Sequence, residues 1–247
     1  MPQNPFFKIF CIFGIGILLY TIARKFPRIS CFLFLVLPIG LLPIWLKNDN
    51  INLFLWVKVY LVSTTAFFVS FVRCYKSWEK FSFFAIYSLV FANILFPIWV
   101  MMSTGTLLSH LNALSGLLLL ASLPSLQSLK VSHDLLWDVS YSWILGYKLW
   151  NWLLVYYLFP NAVMNSIGLL LTPLILSFFN RKIWLQARAY TLAIFLILGL
   201  SFWDFANPNI SPVQINQQIL LCLSVILVCW MLIFCFARKK GDYPILS

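Results

Sequence analysis

Long apolar runs separated by short polar and basic interruptions dominate the chain. Within the runs, polar and apolar residues do not alternate, as the stretch "FSFFAIYSLVFANILFPIWV" shows. A membrane strand would need that alternation, so these runs read as helices. Nine of them are separable, at about 6–22, 30–46, 53–72, 81–102, 106–124, 139–159, 163–180, 188–205 and 217–237. Most approach the roughly 20 residues that cross a bilayer core of about 30 Å. In hydrocarbon each backbone N–H and C=O must be satisfied within the protein, which again selects helix. The fifth run, "TGTLLSHLNALSGLLLLASLP", is the most polar and either crosses or re-enters. The expected fold is all-α: a polytopic transmembrane helix bundle of about nine spans, with residues 1–247 forming one integral membrane domain.

Composition agrees with that pattern. Hydrophobic residues make up 62% of the 247 positions and charged residues 9%, against about a quarter charged in soluble domains. The net charge of +11 could indicate nucleic acid, but no basic folded module is present to bind it. Instead the basic residues cluster between alternate runs: Arg24, Lys25 and Arg28; Arg73, Lys76 and Lys80; Lys130; Arg181, Lys182 and Arg188; then Arg238, Lys239 and Lys240. Under the positive-inside rule this places the N-terminus outside and the C-terminus in the cytoplasm. The alternation requires the fifth run to cross. The first run carries less positive charge before it than after it and lacks an A-x-A-like site, so it is expected to be a retained span and not a signal peptide. Six cysteines form no C-x-x-C pair and no cluster with histidine, and neither a disulfide framework nor a metal site is expected.

Two lysines lie inside spans. Lys148 sits about nine residues from either end of the sixth run, roughly 14 Å at 1.5 Å per residue, too deep for its stem to reach the interface. A lysine at that depth costs about 2.5–3.5 kcal/mol on insertion scales. On a helical wheel it shares a face with Tyr141, Asn151, Trp152 and Val155, while Trp143, Tyr147, Trp150, Leu154 and Tyr157 lie opposite. All six acids fall in loops, tails or span ends, so no carboxylate is available at the depth of Lys148. Its ammonium must meet backbone and side-chain oxygens or an exogenous anion. Lys58 lies nearer the end of the third run, where it can snorkel or face the same cavity. Pro97 after Asn93, Pro173 after Thr172, and Pro38 with Pro43 mark kinks whose freed carbonyls need partners. No nucleophile, base or metal constellation is present: there is no H-E-x-x-H, no G-x-S-x-G and no paired carboxylates. Catalytic residues and cofactors are therefore not expected.

The segments "LLWDVSYSWILGYKLWNWLLVYYLFP" and "WLQARAYTLA" carry W-x-L-x-Y-x-x-W-N-W-like and W-x-Q-A-R-like patterns. Across roughly residues 135–192 the chain resembles an uncharacterised family of bacterial multi-pass membrane proteins, a domain of unknown function. That resemblance implies a bacterial inner-membrane location and supplies no substrate. It draws attention to Gln186 and Arg188, expected at the cytoplasmic rim, with Arg188 reaching lipid phosphate or Asp138. The expected function is a small transporter or permease-like protein for an anionic or amphipathic ligand, bound by Lys148, Asn151, Tyr141, Trp152 and Lys58. The alternative is a non-catalytic binding or assembly protein that holds a lipid or a partner helix against the aromatic face of the sixth run.

Overall fold

The computed structural model describes residues 5–48, 51–202 and 214–239. All nine apolar runs are helical within these residues. They form α1 (Pro5–Lys25), α2 (Pro27–Gly40), α3 (Leu42–Trp45), α4 (Leu53–Cys74), α5 (Glu79–Ser103), α6 (Leu107–Ala121), α7 (Tyr141–Leu158), α8 (Val163–Leu176), α9 (Trp184–Phe202) and α10 (Gln217–Lys239). The second run is broken into α2 and α3 between Pro38 and Pro43, as ring sterics and a missing N–H require.

Five helical stretches are long and apolar enough to cross a membrane: Pro27–Trp45, Leu53–Cys74, Lys76–Ser103, Arg181–Ser201 and Gln217–Ala237. The other runs make different helices. α6 has 15 residues and α8 has 14, which gives axial lengths of about 22 and 21 Å. Side chains set several of these ends. Thr106 and Ser109 close a capping box at the start of α6, just after Gly105, whose φ of 72° lets the chain turn sharply out of α5. Asn52 caps α4, and Ser140 caps α7.

α4 packs against α2, α5 and α9, and α9 is the most buried of the five long apolar stretches. α7 lies against α6, α8 and α10. Between α7 and α9 the core is aromatic. Trp143 stacks on Tyr147 at 5.4 Å, and Trp184 meets both edge-on at 5.6 and 5.1 Å.

The connection from α6 to α7 contains one element that the apolar pattern did not anticipate. Strands β1 (Leu129–Val131) and β2 (Leu135–Trp137) form an antiparallel hairpin in which Leu129 faces Trp137 and Val131 faces Leu135. Leu135 and Trp137 are buried, and β2 packs against α4 and α9 at one end of the bundle. This is the hairpin end; Trp45, bonded to Ser201 at 2.9 Å, marks the far end.

Candidate functional site

Two prolines create the first parts of the site. Pro97 has no N–H to give to the carbonyl four residues earlier, that of Asn93. Lys58 Nζ donates to this oxygen at 3.0 Å. Pro173 opens α8 in the same way, and Lys148 Nζ donates to the Leu170 carbonyl in the affected turn. Each buried lysine of α4 and α7 thus ends on a backbone oxygen beside a proline kink. The Lys148 ammonium also lies 5.9 Å from the centre of the Trp184 ring, within cation–π range.

Arg188 is the third buried basic side chain, and it is less well matched. It lies one helical turn after Trp184 on α9 and is 4% exposed. Its Nη2 donates to Asn151 Oδ1 at 3.2 Å, and the guanidinium sits over Tyr147 at 5.8 Å. Among the described residues its Nε and Nη1 are buried without a partner, and so is Asn151 Nδ2. The other orphaned buried atoms among the described residues, such as Tyr20 Oη, Ser63 Oγ and the Asn112 amide, are neutral. A guanidinium cannot shed its proton to escape burial.

Lys58, Asn151 and Arg188 line one cavity of about 50 Å³, whose remaining walls include Phe54, Leu154, Leu170 and Leu192. By that measure one water needs roughly 10–15 Å³, so the space suits a few waters or a small anionic group. A second cavity, of about 30 Å³, lies on another side of Arg188 and is walled by Thr65, Asn93, Trp143, Tyr147 and Trp184. Among the described residues no acid lines either cavity, and every ion pair involves Asp134 or Asp138. The result is a cage of three basic side chains with unspent donors and, among the described residues, no carboxylate.

At the hairpin end the charges are matched. Asp134, at the hairpin turn, is buried and accepts from Arg24 Nη2 at 2.7 Å, Arg24 Nε at 3.0 Å and Gln186 Nε2 at 2.9 Å. Arg73 Nη2 lies 3.6 Å from the same carboxylate. Arg73 also donates to the His133 carbonyl, the Arg24 carbonyl and Tyr190 Oη, at 2.9, 2.7 and 3.1 Å. Gln186 Oε1 takes the Leu135 N–H at 2.8 Å. Burial alone would raise the Asp134 carboxyl, but hydrogen bonds from Arg24 and Gln186 and the charges of Arg24 and Arg73 outweigh it. They hold the group below its ordinary value.

The residues singled out in the sequence therefore separate. Lys58, Asn151 and Arg188 share a cavity, with Lys148 bonded to one of its walls. Tyr141 lies elsewhere, donating to the Phe178 carbonyl at 2.7 Å. Trp152 packs on Tyr156 at 6.3 Å. Arg188 and Asp138 do not pair as expected: Asp138 faces Arg181 at 3.5 Å. Gln186 is buried in the hairpin clasp and not at an open rim. For Gln186 and Arg188 the difference has one physical source. A 3-10 turn at Arg181–Ile183, capped by Asn180, starts α9 at Trp184 instead of 188, which carries Gln186 and Arg188 inward. The faces of α7 also differ from the expected division, because Trp143, Tyr147 and Trp150 are all buried in the chain's own core. The participation of Arg73, Asp134 and Tyr190 was not foreseen. A helical wheel begun at Trp184 would have put Gln186 with Tyr190, and Trp184 with Arg188.

A family model described as a family of unknown function, DUF5692, matches residues 3–240. The chain belongs to that family. Comparisons with curated proteins and with solved structures find no match. Membership in DUF5692 brings no activity with it. The W-x-L-x-Y-x-x-W-N-W-like segment of α7 and the W-x-Q-A-R-like segment of α9 meet at the cage: Tyr147 and Asn151 touch Arg188, and Trp143 touches Trp184.

Proposed function

We propose that the protein is a small transporter or permease-like membrane protein for an anionic ligand, whose charged group binds at Arg188, Asn151, Lys58 and Lys148. The reading rests chiefly on one observation, the unpartnered Nε and Nη1 of a buried Arg188. A buried cation without a counter-charge costs several kcal/mol, and an entering carboxylate or phosphate oxygen would offset this through charge-assisted hydrogen bonds. Aromatic and leucine walls would suit an apolar body attached to that group. In this reading the nine helical runs assemble in a bacterial inner membrane with the N-terminus outside. Arg24, Arg73, Lys130 and Arg181 then face the cytoplasm, as the positive-inside rule favours.

The test uses purified protein in lipid nanodiscs, with acetate, inorganic phosphate and benzoate as probes. At least one anion should raise the melting temperature in proportion to the logarithm of its concentration, and Arg188→Gln should abolish the response. No response to any of the three in the native protein would count against an anion site. Radiolabelled uptake into proteoliposomes then separates carriage from binding. Binding without flux would favour the non-catalytic binding protein.

A further inference from the structure

Beside the cage, at the hairpin end of α9, sits a carboxylate that belongs to the protein itself. Asp134 lies between Arg24 and Arg73, Arg73 reaches α9 at Tyr190, two residues after Arg188, and the carboxylate has the chemistry expected of a ligand for the cage. The backbone around it is fastened as well: His133 by its carbonyl to Arg73, and Leu135 by its N–H to Gln186. Leu135 and Trp137 are buried beneath the hairpin, and Trp137 meets Trp143, a wall of the smaller cavity, at 6.1 Å. On α9, Gln186 of the clasp lies between Trp184 and Arg188 of the cavity wall. Clasp and cage are therefore two faces of the same helical turn.

We propose that the β1–β2 hairpin is a plug over the cage, latched by Asp134 in the Arg24–Arg73 pair that an anion leaving the cage would otherwise meet. The proposal rests on the reading of the cage as an anion site. An anion moving from Arg188 toward Arg73 competes with Asp134 for the same donors, and its arrival releases the hairpin. When the anion has gone, Asp134 returns and closes the end. The latch thereby ties opening to occupancy without a separate effector.

Thiol accessibility tests this. Thr65 is a buried wall of the smaller cavity, and Thr65→Cys is nearly isosteric. In nanodiscs, a sulfonated maleimide should label Cys at this position slowly in the otherwise native chain, with the unsubstituted protein as the baseline for native thiols. Asp134→Asn should raise the rate at least about tenfold, and acetate or phosphate, whichever binds, should raise it in the chain that retains Asp134. Arg24→Gln alters a half-exposed side chain at the edge of the clasp and serves if Asp134→Asn does not fold; it should give a smaller increase. Equal labelling rates in all variants would overturn the plug even if anions bind at Arg188. Faster labelling in Asp134→Asn, with no anion response in any chain, would overturn regulation by a ligand and would count against the cage reading itself.

Discussion

Two groups of basic side chains pack around the first turns of α9 and handle their hydrogen-bonding capacity in opposite ways. In the clasp, Arg73 and Arg24 meet Asp134, which Gln186 also holds, and Arg73 reaches Tyr190 and two backbone carbonyls. In the cage, Lys58 and Lys148 each donate to one carbonyl, and Arg188 reaches a single amide oxygen. Arg73 is as buried as the three basic side chains of the cage, and only Arg24 lies at a half-exposed edge, so burial does not explain the contrast. The difference is in the partners: one group is matched within the chain, and the other has donors left over. Matched charges hold elements together, whereas unmatched ones mark a place where something else can bind.

The largest effect should come from Arg73→Leu. It removes three hydrogen bonds and leaves a buried carboxylate short of a cation, a change of the kind that costs about 3–5 kcal/mol. Unfolding in detergent would measure it, and native-like stability would erase the contrast between clasp and cage. Asp134→Asn should cost less at neutral pH, because an amide keeps part of the bonding. Its distinct signature is in acid. The folded carboxyl titrates below its ordinary value, so its contribution is complete above an unfolded value of about 4 and is lost as pH falls through the folded one. Melting temperature followed downward from pH 6 should drop more steeply in the native chain than in the Asn variant. Parallel curves would show that Asp134 carries no such linkage.

A smaller effect is expected where Lys58 meets the Asn93 carbonyl. Lys58→Met strands an oxygen that Pro97 has already deprived of its helical donor. Pro97→Ala restores that donor, so a double-mutant cycle should give a coupling of about 1 kcal/mol in favour of the pair. Strict additivity would mean that the lysine has another role. The smallest change in stability belongs to Arg188→Leu. Without an anion this variant should hold its stability within about 1 kcal/mol or gain some, since it removes an unmatched buried charge. A loss as large as that of Arg73→Leu would show that Arg188 is already satisfied in the folded chain.

Much of this architecture is legible in the sequence because hydrocarbon-length apolar runs have few alternatives to helix. Lys58, Lys148 and Asn151 stand out for the same reason, as polar residues placed where solvation is poor. Arg188 does not stand out. It follows Arg181 and Lys182, and a loop containing three basic residues reads as an interfacial cluster. Only the Asn180 cap and the short turn at Arg181–Ile183 show that the helix has already begun. The hairpin is hidden for a different reason: strands of three residues are too short for alternation to register. Asp134 lies in what looks like an ordinary polar loop, and its importance comes from Arg24 and Arg73, far away in the chain. Pairings over such separations depend on how helices are arranged, which the pattern of any one run does not encode.

The shortness of α6 and α8 has a consequence for the protein's surroundings. Leu107, Leu114 and Leu117 of α6 and Leu171 and Ile175 of α8 are exposed, on helices of about 22 and 21 Å. If α6 and α8 cross the bilayer as in the proposed nine-helix assembly, a hydrocarbon film of about 30 Å meeting these surfaces must pinch inward or leave polar backbone in oil. The protein should therefore rest most easily in lipids with shorter acyl chains and should carry a dimple with it in thicker ones. Film thickness then becomes a mechanical load on the same bundle that holds the cage.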